Sequence, residues 1–447
     1  MGLNTIHKTS VFYRVLFFSA RFFFGLFYRR FIIVGKENIP LGEQVIFASN
    51  HQNALMDALA MLFGHGKPVV FLARADIFKK SFVASVLYSL KILPVFRPRD
   101  GSESMTQNYD TFQRTSKVLK SGMPIAILPE GTHSPIKKLQ PLKKGICRIA
   151  FLTAESENFS SEIMIVPTGI DYTNYSNAGT DLLLIYGKPI PVSDYYKLYQ
   201  LNPQKAIAQL RDRLWEAIHQ LMIDVRQDQY YSTYMYLAEM IEIPENLAGY
   251  EARLDRFYKT REFIQKMDNL VPENPEWIEQ LKQETSVYFS SLKKHGLKEK
   301  TLQKKPISTL VFLMSLLISL LILPVHLAGM LFNYLPYKLP VILSRKVRDK
   351  QFLSSLRYGY GLAFFLIWYI IAFIMLLVIG FPISATLISL VLLAFSGLAA
   401  FYHYLHLRRL NGKYRLLRLK YRNSKTYQQL KNQRESIIHL IKQKVDF

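Results

Sequence analysis

The chain has 447 residues, enough for two or three folded units, and half of them are hydrophobic. Its formal net charge of +24 indicates an anionic partner, either nucleic acid or a membrane surface. No helix-turn-helix or aromatic-basic RNA motif is evident, whereas residues 306–337 and 358–407 contain no Asp, Glu, Lys or Arg. We therefore expect membrane lipids and no nucleic acid as partners. The single cysteine, Cys147, excludes an intramolecular disulfide.

The first predicted element is an interfacial amphipathic helix within residues 1–30. Residues 11–32 are apolar and aromatic, and residues 1–36 contain no acidic residue. Four arginines interrupt the apolar stretch: Arg14, Arg21, Arg29 and Arg30. A helix packed on its own domain fits this pattern equally well. The absence of acidic residues favours a membrane surface, with the arginines on lipid phosphates.

Residues 31–225 alternate strand-like apolar runs with helical patterns, which predicts an α/β domain. The predicted strands cover residues 31–34, 44–48, 69–72, 125–128, 163–167 and 182–186. A helix over residues 203–225, with Pro203 at its start, is expected to close the domain. Residues 226–305 are charged and helical in pattern, and we interpret them as a helical insert without a catalytic motif.

The apolar C-terminal part predicts an α-helical membrane region. Residues 358–404 are typical of a transmembrane helical hairpin that turns at Gly380-Phe381-Pro382. The loop 338–357 has six Lys and Arg against one acid, and the tail 405–447 has twelve against two. The positive-inside rule places both on the cytoplasmic face. Residues 306–337 must then enter and leave on one side, so we expect a re-entrant or in-plane helical pair broken near Pro324; a simple span is the alternative.

Two short polar segments follow predicted strands, at residues 48–57 and 127–134. The first contains Asn50, His51 and Asp57, and the second contains Glu130, Gly131 and Thr132. Ligands bind where strands end in α/β sheets. A histidine beside a carboxylate can take a proton from an alcohol, and the second segment offers N–H groups and a hydroxyl to an anion. The pair predicts a site for an alcohol that carries a phosphate.

These segments resemble the first and third motifs of the glycerolipid acyltransferases, the superfamily of glycerol-3-phosphate and 1-acylglycerol-3-phosphate acyltransferases. Residues 92–99 resemble the second motif, and residues 165–170 resemble the fourth, a strand with a central proline. The resemblance covers residues 30–225 and implies a mixed sheet flanked by helices. Two positions differ from the family pattern. Five residues separate His51 from Asp57 where four are usual, and His133 stands where Arg is common.

The resemblance implies roles for seven residues. His51 is the expected general base, and Asp57 orients it, as in a catalytic triad whose oxygen comes from the substrate. The expected acceptor-binding residues are Arg97, Arg99, Glu130, Gly131 and Thr132, of which Arg97 is the favoured phosphate ligand. The extra residue before Asp57 requires His51 to lie in the turn before a helix, with Asn53 as the expected N-cap. His133 is given no role.

The sequence thus predicts a membrane-bound O-acyltransferase of phospholipid synthesis. The acceptor is glycerol 3-phosphate or 1-acylglycerol 3-phosphate, and the co-substrate is an acyl-CoA or acyl-carrier-protein thioester. No other cofactor and no metal are expected. The expected location is a bacterial inner membrane, with the catalytic domain on its cytoplasmic face. Two alternatives remain open: a phospholipid–lysophospholipid transacylase, and a catalytically silent lipid-binding protein in which the extra residue separates His51 from Asp57.

Overall fold

The computed structural model describes residues 6, 9–96, 104–303, 308–347 and 349–445. The chain divides into two compact units. The N-terminal unit contains residues 1–224 together with residues 347–358, and the helical unit contains residues 225–346 and 359–447. A segment that follows the first long apolar helix therefore folds with the N-terminal unit.

Within its described residues, the N-terminal unit is built around an eight-stranded mixed sheet. Its strands are β1 (Tyr28–Val34), β2 (Gln44–Ser49), β3 (Val70–Arg74), β4 (Ile92–Val95), β5 (Ile125–Ile127), β6 (Ile163–Tyr172), β7 (Thr180–Tyr186) and β8 (Ile190–Pro191). The strand order is β1-β7-β6-β2-β5-β3-β4, and β8 pairs with β6. Strands β6, β2, β5, β3 and β4 run parallel to one another, whereas β7 and β8 are antiparallel to β6. The six predicted strands are all present.

Helices cover both faces of this sheet. They are α1 (Val11–Phe27), α2 (Leu55–His65), α3 (Ser81–Ser89), α4 (Ser104–Lys120), α5 (Gly145–Glu155), α6 (Tyr196–Leu201) and α7 (Pro203–His219). Side chains alternate along β2, so Ile46 and Ala48 join a core with α5 and α7, whereas Val45 and Phe47 join one with α1 and α2. The α/β domain with a mixed sheet is thus confirmed. The predicted helix at Pro203 ends at His219, six residues early, and the chain then turns so that Leu221 lies against Gly169.

Helix α1 has properties of both an interfacial helix and a packed one. Tyr13, Phe17 and Phe24 are buried against the sheet and α2, whereas Phe18 and Phe22 on the other face are exposed.

The prediction that Arg29 and Arg30 face lipid phosphates is wrong. Both guanidiniums lie in β1 and bind the carboxylate of Asp181 on β7. Burial alone raises the pKa of that carboxyl, but the hydrogen bonds from the two arginines lower it to about 2. The single carboxylate of Asp181 therefore neutralises part of the charge of the two arginines. These contacts also stabilise the pairing of β1 with β7.

The helical unit contains α8 to α15. They are α8 (Tyr231–Met240), α9 (Gly249–Leu270), α10 (Pro275–Lys294), α11 (Glu299–Gln303), α12 (Thr309–Ser344), α13 (Leu353–Val378), α14 (Ile383–Arg422) and α15 (Ser424–Lys442). Within it the predicted insert and the predicted tail pack together. Trp277 of α10 donates a hydrogen bond to the carbonyl of Leu440, and Arg434 binds Glu299.

Among the described residues, three helices are long and apolar enough to cross a membrane: residues 309–344, 350–378 and 383–422. Gly380, with a φ of +96°, forms the predicted turn between the second and the third. The expected break at Pro324 is wrong, since α12 is one helix that contains Pro324, Pro336 and Pro340. Residues 338–357 are also not a loop throughout, because α12 extends to Ser344 and α13 begins at Leu353. A re-entrant or in-plane position of residues 306–337 stays a prediction.

Candidate active site

The His51 and Glu130 segments meet because β2 and β5 are adjacent and parallel. Ala48 pairs with Ile127, so the two chains leave the sheet at the same edge. The backbone N–H of His51 donates to Glu130 Oε1 at 2.6 Å, and the N–H of Ser134 donates to the His51 carbonyl at 3.2 Å. The two motifs are 79 residues apart in sequence, and the pairing of adjacent parallel strands brings them into contact.

The pair of His51 and Asp57 forms despite the extra residue between them. The Nδ1 atom of His51 lies 2.8 Å from Asp57 Oδ2. The same oxygen accepts the backbone N–H groups of Gln52, at 2.8 Å, and Asn53, at 2.7 Å. The carboxylate in the first turn of α2 thus closes the turn that carries the histidine. The separation that a silent protein would require is not observed.

The turn is completed by Ala54 rather than by the predicted cap. Helix α2 begins at Leu55, and Ala54 has a φ of +45° and a ψ of −123°, which an L residue rarely adopts. Such a conformation costs on the order of 1–3 kcal/mol and persists where surrounding contacts impose it. Asn53 is not the N-cap, because its amide group donates to the Tyr175 carbonyl and its Oδ1 accepts from Ser354.

Asp57 is completely buried and, among the described residues, has one further hydrogen-bond partner. Tyr172 of β6 donates its hydroxyl hydrogen to Asp57 Oδ1 at 2.7 Å. Burial raises the pKa of Tyr172 well above its usual value, and the nearby carboxylate raises it further, so this phenol is a neutral donor. The contact of Asp57 with His51 Nδ1 holds a proton on that nitrogen and leaves Nε2 as the proton acceptor.

Glu130 supports the backbone around His51. It is 2% exposed, and its two oxygens accept the N–H groups of His51 and Gln140. Burial raises the pKa of this carboxyl to about 8, although both hydrogen bonds favour its charged form. The predicted contact of Glu130 with acceptor hydroxyls stays a prediction. Such a contact would use the lone pairs of Glu130 that the two backbone N–H groups leave available. The supporting role was not predicted, because nothing in the local sequence shows the partner of a carboxylate.

Gly131 and Thr132 form an exposed turn directly after Glu130. Gly131 has a φ of +69°, in the left-handed region that glycine adopts at little cost. Its N–H donates to the carbonyl of Leu128. The predicted acceptor-binding role of both residues stays a prediction. Arg97 and Arg99 lie outside the described residues.

His133 also belongs to the site, although no sequence pattern assigned it a role. Its ring centroid lies 5.1 Å from that of His51, and 16% of its side chain is exposed. Burial lowers the pKa of His133, and the neighbouring His51 lowers it further. The imidazole therefore favours its neutral form beside His51. Its position so close to His51 depends on the fold of the 131–142 loop, which sequence periodicity does not report.

A second buried pair fixes the loop that follows Thr132. Lys137 binds the carboxylate of Asp171 on β6, and the Leu139 N–H donates to Asp224 at 2.7 Å. Asp224 in turn lies 3.2 Å from His219 Nε2. These contacts hold the loop between β6 and the end of α7, so the peptide beside His51 has a defined path.

Comparison with known proteins finds a match in the region that contains this site. Residues 30–171 match the family model described as Acyltransferase. The 1-acyl-sn-glycerol-3-phosphate acyltransferase of Borreliella burgdorferi is 27% identical over 201 residues, which are 43% of this chain and 74% of that protein. The chloroplastic 1-acyl-sn-glycerol-3-phosphate acyltransferases of Brassica napus and Arabidopsis thaliana are 28% identical over 162 residues. That match covers 35% of this chain but only 44% and 43% of the two plant proteins.

A solved structure, the 1-acyl-sn-glycerophosphate acyltransferase PlsC from Thermotoga maritima, is similar at 23% identity and a TM-score of 0.31, over 48% of this chain and 78% of that one. The region that matches the family model contains the predicted motifs one to three and β6 up to Asp171. The family model and these relatives support an O-acyltransferase domain of the glycerolipid acyltransferase superfamily within residues 30–171. The predicted family is thus confirmed, as is acyltransferase activity in lipid synthesis.

Proposed function

We propose that the protein transfers a fatty acyl group from a thioester to the free hydroxyl of 1-acylglycerol 3-phosphate at a membrane surface. The observation that carries the proposal is the 2.8 Å contact between His51 and Asp57 at the sheet edge, inside the region that matches the family. The choice of acceptor follows from the three relatives described above, which are named for 1-acylglycerol 3-phosphate. Glycerol 3-phosphate is the second candidate acceptor.

The reaction follows from the two nitrogens of His51. Nε2 takes the hydroxyl proton as the acceptor oxygen attacks the thioester carbonyl, while Asp57 stabilises the imidazolium through Nδ1. Collapse of the tetrahedral intermediate breaks the C–S bond and releases the thiol, to which the imidazolium returns the proton. The proposed acyl donor is an acyl-CoA or acyl-carrier-protein thioester.

The Glu130 bridge explains how the fold holds the base. Glu130 fixes the N–H of His51, and Asp57 fixes the next two N–H groups along the turn. The histidine is thereby held at both its backbone and its side chain. A catalytic base that is already oriented avoids part of the entropic cost of reaching the transition state.

Acyl incorporation by purified protein in mixed micelles tests the proposal. Radiolabelled glycerol 3-phosphate and 1-acylglycerol 3-phosphate are offered in parallel, each with and without an acyl thioester. We expect labelled phosphatidate that requires the thioester, and a fall in kcat of about 10² to 10⁴ in His51→Ala. His439→Ala, which removes an exposed histidine of α15, is the matched control and is expected to keep wild-type activity.

Each other outcome identifies a different function. Labelled lysophosphatidate would assign the first acylation step instead of the second. Product formed from phospholipid and lysophospholipid without a thioester would identify a transacylase. Lipid binding without product, unchanged in His51→Ala, would identify the catalytically silent protein.

A further inference from the structure

Residues 349–358, named here the linker segment, follow α12 and include the start of α13, two of the helices that are long enough to cross a membrane. This segment nevertheless folds with residues 1–224 as part of the N-terminal unit. It includes the first turns of α13 and is about 300 residues distant in sequence from the His51 turn. Its contacts there are specific.

The beginning of the linker segment contacts His133. The ring of Phe352 lies edge-on to the His133 imidazole, with 4.8 Å between the centroids. Asp349 Oδ2 lies 4.0 Å from His133 Nε2. The ring of His133 is itself 5.1 Å from that of His51. The linker segment therefore contacts a direct neighbour of the catalytic histidine.

The middle of the linker segment contacts the catalytic turn itself. Ser354 is completely buried and donates its hydroxyl hydrogen to Asn53 Oδ1. The amide group of Asn53 donates to the Tyr175 carbonyl at 3.1 Å, and its backbone N–H donates to Asp57 at 2.7 Å. A continuous series of hydrogen bonds therefore joins Ser354 through Asn53 to the carboxylate that orients His51.

The end of the linker segment is anchored at two further places on the N-terminal unit. Arg357 donates to the carbonyl of Ser176 at 2.7 Å and to the side chain of Asn177 at 3.2 Å. The hydroxyl of Tyr358 donates to the carbonyl of Ala20 in α1 at 2.6 Å. With Phe352 on His133, these anchors fix the segment on both sides of Ser354, so its hydroxyl has a defined position.

We propose that Ser354 is a positioning residue for acyl transfer, which holds Asn53 so that the turn presents Asp57 to His51. The inference rests on the proposed function. Loss of the hydroxyl leaves Asn53 Oδ1 buried without its donor, and the turn, which already contains the unfavourable backbone of Ala54, relaxes. The start of α13 and the residues before it are therefore part of the acyltransferase site.

Adjacent serines supply the test. Ser355 is also buried, and its hydroxyl has no hydrogen-bond partner among the described residues. The full-length Ser354→Ala and Ser355→Ala variants are compared with wild type for kcat, for the KM measured with the lysophosphatidate acceptor and for the midpoint of thermal unfolding. We expect Ser354→Ala to lower kcat about 10-fold with an unchanged KM, because misplacement affects the transition state more than binding. Ser355→Ala is expected to stay within about twofold of wild type.

A double-mutant comparison shows whether Ser354 acts through Asn53. In the Asn53→Ala background, Ser354→Ala should have no further effect on kcat, because the group it holds is gone. Additive losses, a wild-type kcat in Ser354→Ala, or equal losses in the two serine variants would each overturn the inference. An inactive wild type in the same assay would overturn the proposed function instead, so the two failures are distinguishable.

Discussion

At the scale of single residues, Asp57 determines the geometry of the site. Its Oδ2 contacts His51 Nδ1 and the N–H groups of Gln52 and Asn53, and its Oδ1 accepts from Tyr172. Four donors around one buried carboxylate satisfy its oxygens and allow one orientation only. The same side chain thus shapes the turn and orients the base.

We expect Asp57→Asn to lower kcat by about 10³-fold or more, because an amide cannot accept from every one of these donors and no longer favours the required tautomer. The unfolding midpoint should fall as well. Asp194→Asn, which changes an exposed aspartate in the same unit, is the control and should match wild type in both measurements. Wild-type kcat in Asp57→Asn would remove the basis for the proposed mechanism.

We expect the stability of the protein to depend on pH through His65, at the end of α2. Burial lowers its pKa from 6.5 to about 4, and Lys67 and Lys36 contribute. The unfolded chain then binds a proton that the folded chain does not, so stability falls as pH falls from about 6.5 to about 4. His65→Gln should reduce this slope in thermal unfolding measured between about pH 4 and pH 7. His439→Gln should leave the slope unchanged.

The slope of stability against pH should be compared between wild type and His65→Gln, because Glu130 contributes to this slope with the opposite sign. Burial raises the pKa of its carboxyl from 4.5 to about 8, so its contribution to stability is lost as pH rises through that range. An identical slope in wild type and His65→Gln would show that His65 is not the group that titrates.

At the scale of elements, close helix packing in the helical unit depends on glycine. Helices α12 and α14 approach so closely that a Cβ atom on Gly329 would lie 2.1 Å from the carbonyl oxygen of Ser396. Next to this contact, Asn333 of α12 donates to the carbonyl of Leu393 and accepts from Tyr369 of α13. Small residues that allow such an approach, with a polar side chain across the contact, are typical of membrane helix pairs.

We expect Gly329→Ala to destabilise the helical unit by about 1–3 kcal/mol, because the added methyl group must separate two backbones. Gly361→Ala on α13 is the matched control, since a Cβ atom there meets nothing within 4 Å. The control should be neutral or slightly stabilising, as alanine favours a helix over glycine. Thermal unfolding in detergent measures both, and equal midpoints would contradict the close packing of α12 on α14.

At the scale of the whole molecule, the division into two units bears on membrane topology. Residues 347–358 fold with residues 1–224, so both must face the same side of a membrane. The α13–α14 turn at Gly380 is the segment that we expect on the opposite side. The cytoplasmic location of the catalytic domain follows from charge alone and stays a prediction.

Labelling of introduced cysteines tests this topology, because the native Cys147 is not expected to react with the reagent. Cys147 is completely buried, and burial raises the pKa of its thiol to about 12. We expect Glu43→Cys and Lys425→Cys to react with an impermeant maleimide only in inside-out vesicles, and Phe381→Cys only in right-side-out vesicles. Labelling of all three from the same side would show that the predicted hairpin does not cross the membrane.

The strands, the motifs and the family could be predicted from the amino-acid order alone. Apolar runs such as those in β2 and β5 are local, and polar residues after parallel strands must meet at one sheet edge, so His51, Asp57 and Glu130 could be placed together. The position of the two arginines of β1 differs from the prediction, because their partner Asp181 lies about 150 residues away in sequence.

The individual contacts around the base are decided by the tertiary structure. Glu130 binds the backbone of His51, His133 lies beside His51, and Ser354 donates to Asn53. Each of these contacts joins segments that are 79 or more residues apart. Periodicity and motifs report the local backbone and the face that is buried, whereas the partner of a buried polar group depends on how distant elements pack.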